Sequence, residues 1–462
     1  MNFAGKLLKC AGVLCCILFF TSSGPFDEID SIAREGHYDR AIAILDQHRQ
    51  LYGNDDILFY LDKGMLTHYA GQYSDSIRFL SEAERAIEEA FTRSVTEEIG
   101  SMLLSDNTKT YAGEDYENIY INVFNALNYY HLNRHESALV EVRRISEKLR
   151  FLEAQYQFMV DRLMEASREI RQQERLVANA VQEAARLGIV LIIDPENTIR
   201  YIYRIDNLVL ARYLSMLFYR ANGLVDSARI DYESILAQYA DLRDIYNFNI
   251  PSSLNDELVI PAGMARLNIL AFTGLSPLKN ETSTFIRVGN TTIRIALPEM
   301  RNRPSEISQV KVEFVNGDTF TLERLEDIEA IARETFNGKI AAIRLKSNVR
   351  AGIRGGIGAA ARNTGAVLAE VGSAFVPGLS LILSISGEVA SAIADAVERA
   401  DIRISRFFPR RSYVGGINLR PGTYSFRVQY YNASGQIIDS FFLENVQVRA
   451  NALNLVESIS LK

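Results

Sequence analysis

The residues best suited to chemistry in this chain are few, and most of them lack the company that a reaction needs. Ser276-Pro277-Leu278-Lys279 is an S-x-x-K string, the spacing that places a serine nucleophile one helical turn from a lysine base in serine acyl-transferases. Here a proline follows the serine and strand-like sequence surrounds it, and no partner motif follows in the required order. His131 and His135 are four apart, so the spacing predicts one shared helix face. Two imidazoles still want a third ligand to hold a metal, and the reading is of solvated helix histidines. The five histidines all fall in the first third, and the three cysteines, Cys10, Cys15 and Cys16, in the first 23 residues. The second half therefore has few groups suited to acid–base or nucleophilic work near neutral pH. Gly352 to Gly358 gives G-x-x-G-G-x-G, which is neither the dinucleotide fingerprint nor a P-loop. Glu114, Asp115 and Glu117 cluster before an apolar run, where they would cap a helix or meet a basic partner. The expectation is a non-enzyme with no cofactor and no metal.

The elements that would position these residues fall into two halves. At 462 residues the chain is too long for one core. A net charge of −7 and a pI near 5.5 argue against a nucleic-acid partner. Residues 1–23 have a short basic start, an apolar run and small residues at Thr21 and Ser23, the pattern of a signal peptide. That pattern predicts an exported, periplasmic protein. An uncleaved anchor or a lipidated cysteine would instead tie it to the membrane.

Residues 24–264 read as helical repeats. Gly36–His48 and Gly71–Ala83 share G-x-Y-x-x-small-x-x-x-L, and Asn133–Ile145 and Gly223–Leu236 repeat the theme with Ala138 and Ala228 at the small position. This matches the start of the second helix of a tetratricopeptide repeat. The turn residue ends one helix, the aromatic packs beneath it, and the small residue lets two helices approach closely. Residues 146–187 interrupt the repeats as one long charged helix, an arm or a lid. A repeat array leaves its concave face for a partner, so Tyr69, Tyr73, Tyr129 and Tyr130, with Glu114 and Asp115, are the expected contacts for an envelope protein or peptide.

Residues 265–462 alternate apolar and polar residues in about seven short strands, with hairpin turns at Gly289-Asn290, Asn316-Gly317 and Ala433-Ser434-Gly435. A small antiparallel β-sandwich is expected, so the fold class is α+β, a tetratricopeptide-like solenoid followed by that sandwich. Residues 327–408 interrupt the strands as a glycine-rich helical hairpin, with Asp327 as N-cap and a second arm running from Leu379 to Arg406. Lys346, Arg350 and Arg354 lie four apart and make a basic stripe. With Gly352, Gly356 and Gly365 they would meet an anionic membrane surface, a second copy of the chain in a homo-oligomer, or the protein's own two halves.

Leu104-Ser105-Asp106-Asn107, Tyr111 to Glu117, Leu127-Asn128-Tyr129, Ala138 to Arg144, Tyr213 to Gly223, Pro251 to Leu254, Gly274 to Glu281, Glu398 to Asp401 and Leu419 to Tyr424 together resemble a family of uncharacterised bacterial envelope lipoproteins with tetratricopeptide-like repeats and a C-terminal β-domain. The resemblance covers most of the mature chain in order and implies a periplasm-facing, outer-membrane-attached protein. Two departures stand out: no cysteine sits in a good lipobox, and the helix 146–187 is an expansion. The function expected is a scaffold or adaptor of the envelope. The alternatives are an accessory activator of a cell-wall enzyme and a structural subunit that oligomerises through the hairpin.

Overall fold

The computed structural model describes residues 24–101, 111–151, 208–288, 291–337 and 399–462. Within them the chain is α+β. The helices are α1 (Pro25–Arg34), α2 (Tyr38–Gln47), α3 (Asp56–Tyr69), α4 (Tyr73–Ser101), α5 (Asp115–His131), α6 (135–151), α7 (Val209–Ala221), α8 (Val225–Asp241) and α9 (328–337). The strands are β1 (Ala265–Leu275), β2 (Leu278–Val288), β3 (Thr291–Arg301), β4 (Gln309–Phe314), β5 (Thr319–Asp327), β6 (Pro409–Leu419), β7 (Gly422–Tyr431), β8 (Ile437–Val448) and β9 (Asn454–Ser460).

Each of the four sequence repeats marks the turn of a helix pair: α1–α2, α3–α4, α5–α6 and α7–α8. The turn residue is left-handed in all four, with φ of 81° at Gly36, 74° at Gly71, 55° at Asn133 and 72° at Gly223. Around it the same two backbone bonds close the helix end; at Gly71 they are Gly71 N to the His68 carbonyl (3.0 Å) and Gln72 N to the Thr67 carbonyl (2.9 Å). This is the Schellman end, which favours glycine, then asparagine, at that position. Five residues on, Ala41, Ser76, Ala138 and Ala228 are buried, at the close approach the repeat predicts.

β1 organises the other half. It is buried along its whole length. Ala265, Leu267, Ile269 and Ala271 join a core inside the sheet with Val310, Val312, Phe426 and Val428. Leu270 and Phe272 join the helices' core, where Phe272 packs 5.2 Å from Phe124 of α5. The seven-stranded sheet runs β8-β7-β4-β5-β6-β1-β9, and β1–β9 is its parallel pair. β2 and β3 form a separate ribbon. The expected two-sheet sandwich is therefore one sheet curled toward a barrel. The reason is that β1 needs a cover on both faces, and the sheet's own curl supplies one while the helices supply the other. Its ends meet through side chains: Ser460 Oγ donates to Asp439 Oδ2 (2.7 Å) and Tyr430 Oη to Ser458 Oγ (2.6 Å). On β6, a Cβ at Gly416 would fall 2.5 Å from the Arg266 guanidinium. The missing side chain lets the buried Arg266–Glu257 pair (3.0 Å) lie flat on the sheet.

The Asn316-Gly317 turn stands as read, with Phe314 N on the Asp318 carbonyl at 2.8 Å. Asp327 caps α9 through the Ala330 amide (3.1 Å). The second hairpin arm does not stand where it can be seen. Residues 399–408 are not helical, and the tertiary contacts given below replace the helix's own bonds. Pro409 also disfavours a helical residue before it. Lys346, Arg350, Arg354, Gly352, Gly356 and Gly365, most of the helix 146–187 and the Gly289-Asn290 turn lie outside the described residues. Among the described residues no helix is long and apolar enough to cross a membrane.

Candidate functional site

The segment 399–408, here called the leg, crosses the helices and is gripped through its backbone. α3 places Asp62 beneath it. Asp62 Oδ1 accepts from Arg406 N (2.7 Å) and Ser405 Oγ (2.8 Å), while Oδ2 accepts from Tyr52 Oη (2.7 Å). α5 supplies Glu117, which accepts from Ser405 N (2.7 Å) and Tyr111 Oη (2.6 Å). Tyr69 Oη donates to the Phe407 carbonyl (2.7 Å). Asp30 of α1 takes the Arg406 guanidinium (2.7 Å), and Asp55 takes Arg403 (3.0 Å). Across the leg, Ser276 N donates to the Phe408 carbonyl (2.9 Å), and buried Arg303 donates to the Arg406 carbonyl. Ile404, Phe407 and Phe408 are buried in the helices' core.

The grip perturbs its own acids. Burial pushes Asp62 up to about 6, against which its three donors work. Burial, then the neighbouring Glu114, pushes Glu117 up to about 7.

A second polar centre ties the helices to β9. Glu457 accepts from His68 Nε2 on one oxygen (2.8 Å) and from His131 Nε2 on the other (2.7 Å). Burial alone would raise Glu457, but the two imidazoles outweigh it and hold it down at about 2. The third centre is Glu326 of β5, wholly buried among Tyr120, Tyr246 and the first amides of α7.

These shifts set a pH profile. Asp62 and Glu117 are raised, so the fold holds their protons better than the unfolded chain does. Their help is complete below the ordinary values of 3.8 and 4.5 and is lost as the pH rises through about 6 and about 7. Glu457 is depressed, so its help is present above 4.5 and is lost as the pH falls through about 2. Thermal unfolding across pH should give the highest midpoint near the ordinary carboxylate values, falling as the pH rises through about 6 and about 7, and Asp62→Asn should flatten the part of that fall around 6. A midpoint that climbs steadily across that window would contradict the assignment.

The sequence-predicted contacts turn inward. Tyr69 holds the leg. Tyr73 stacks on His131 with ring centres 4.4 Å apart. Tyr130 Oη donates to the Leu453 carbonyl (3.0 Å) and accepts from Leu455 N (2.9 Å) on either side of the start of β9. Tyr129 packs half-buried against the core. Glu114 and Glu117 form a capping box on α5, Glu114 also takes Lys279, and Asp115 is the first residue of that helix. The S-x-x-K pair serves the same region: Lys279 donates to the Arg403 carbonyl (3.3 Å), and Ser276 is buried beside the leg. His131 and His135 do not share a helix, because the Asn133 turn separates α5 from α6. His131 joins the Glu457 centre and His135 stays exposed. Among the described residues no group of three metal-binding side chains is arranged to hold an ion.

Sequence reasoning missed Asp62, Glu326 and Glu457. Asp62 and Glu457 lie within largely apolar runs, and that is the signal they carried: a charge on a face that must be buried needs a partner from far away. Glu326 carried none, because it stands among Glu323, Arg324 and Asp327. Comparison with protein-family models, with curated proteins and with solved structures finds no match.

Proposed function

We propose that the protein is a non-enzymatic scaffold of the bacterial envelope, in which tetratricopeptide-like helix pairs hold protein chain in an extended form. One observation carries the reading. Asp62, Glu117 and Tyr69 grip the leg by its amides and a carbonyl, and Asp30 and Asp55 take its arginines. Recognition through main-chain bonds with charged side pockets is how a binding groove reads a peptide. The four matching turns support the repeat reading. The signal-like start and the family resemblance support export to the periplasm.

The leg fills the inner face over α1, α3 and α5, so a protein partner docks on the remaining surface of the array. Affinity capture with the full exported chain from detergent-solubilised envelopes, after brief crosslinking, should return one envelope protein in stoichiometric amount. Capture of the bait alone, or of a scatter of unrelated proteins, would sink the scaffold reading.

A further inference from the structure

The contacts around His68 form a chain in which every proton has a determined place. Ser76 Oγ lies 2.8 Å from the Gly64 carbonyl oxygen. Two oxygens approach that closely only with a hydrogen between them, and a carbonyl has none to give, so the Ser76 proton points at Gly64. Ser76 Oγ must then accept from Asn128, whose Nδ2 is 2.8 Å away. That fixes the Asn128 amide with its oxygen toward His68 Nδ1, at 2.7 Å, and Nδ1 must carry a proton. The other ring nitrogen, Nε2, stands 2.8 Å from an oxygen of Glu457, which the two imidazoles hold ionised against its burial; a carboxylate only accepts, so Nε2 must carry a proton too. A neutral imidazole has a single N–H and cannot satisfy both neighbours.

We infer that His68 is a built-in proton-binding site: an imidazolium locked between Asn128 and Glu457, whose proton pins β9 to α3 and whose loss as the pH rises releases that pin. The site is closed on all sides. His68 and Glu457 are buried. Phe124 of α5 packs edge-on to the ring at 4.9 Å, and Tyr69 and Tyr73 stand at 5.7 and 5.8 Å. The titratable groups around the pair are those two tyrosines, His131 and Tyr130 of α5, and Tyr430 of β7, with Arg303 beyond Tyr69 and Arg449 beyond Tyr130. Glu457 is the anion that answers the imidazolium. Burial alone would lower His68, and Glu457 and Asn128 outweigh it, so the ring titrates above its usual 6.5. The sign follows: the pin is complete below 6.5 and is lost as the pH rises through the raised folded value.

When the proton leaves, Nε2 presents a lone pair to a carboxylate from which water is excluded. Glu457 then keeps only His131. β9 is an edge strand, paired with β1 alone, so the edge of the sheet and its side-chain seam to β8 are what the change loosens.

The test is nitrogen-15 NMR on the full chain labelled at histidine, with the His68 signals assigned by through-space contacts between its ring protons and the Phe124 ring packed against it. Both ring nitrogens of His68 should keep imidazolium shifts at the pH where an ordinary histidine is half titrated. A neutral tautomer at that pH would overturn the assignment, and this reading needs no folded variant. Asn128→Asp supplies the reverse case. A carboxylate facing Nδ1 should move the His68 titration up by about one further unit, and an unmoved titration would equally count against the proton's placement.

Discussion

Phe408→Ala is expected to lower the free energy of unfolding by about 3–5 kcal/mol, the range for deleting a buried aromatic ring. Phe408 is fully buried. Its ring lies 6.0 to 6.1 Å from those of Tyr116, Tyr120 and Phe124, one successive turn after another along α5. Its carbonyl takes the Ser276 amide, and the next residue opens β6. One side chain thus joins the helix array, the leg and the sheet, and α5 is too rigid a wall to collapse into the space left behind. The contrast is Phe442→Ala on β8. Phe442 is 46% exposed and packs under the Arg427 guanidinium, so its loss should stay within about 1 kcal/mol. Urea unfolding followed by circular dichroism would compare the two. Equal effects would mean that the leg is not part of the core. A large loss for Phe408 alone would show that the leg belongs to the core that the helices and the sheet share.

How much of this was legible depended on the distance over which each contact acts. The helix pairs were readable because a Schellman turn is made by neighbours: glycine or asparagine at the bend, a small residue five positions later. The Glu114–Glu117 capping box and the Asn316-Gly317 turn were readable for the same reason. The sheet's strands showed in their alternation, but a sandwich and a curled sheet share one alternation. Only β1, whose LNILAF run is apolar on both faces, carried a hint that it is covered twice. The leg was misread. Ile402, Ile404, Phe407 and Phe408 follow a spacing that a helix could use, and acids on α1, α3 and α5, about 280 to 380 residues earlier, decide otherwise. The His68–Glu457 pair spans 389 residues, and nothing near either residue announces the other.

Glu326→Ala should have the second large effect, about 4 kcal/mol, and should act first on one part of the chain. Glu326 sits beside a β-bulge, where the β5–β6 register slips between Arg324 and Glu326. The slip leaves Leu325 as the extra residue and turns the Glu326 carboxylate toward the helices. There it accepts from Tyr120 Oη, from Tyr246 Oη (2.8 Å) and from the amides of Val209 (2.8 Å) and Leu210 (3.3 Å) at the start of α7. The amides are helix-end donors with no partner inside the helix, and the helix dipole favours a negative charge at that end. Alanine would strand four buried donors, each costing about 1–3 kcal/mol when unmet. The total falls short of their sum because burial already raises the acid's pKa, so removing it also relieves a strained charge. Glu326→Gln removes the charge but turns an amide N–H toward some of those donors, and it should fall between alanine and wild type. Hydrogen exchange locates the loss. The Val209 and Leu210 amides, and then the rest of α7 and α8, should exchange faster in Glu326→Ala while α3 and α4 stay protected. Uniform acceleration across the chain would show that Glu326 supports the whole fold rather than clasping α7 to β5. Unchanged α7 exchange would show that the clasp is elsewhere.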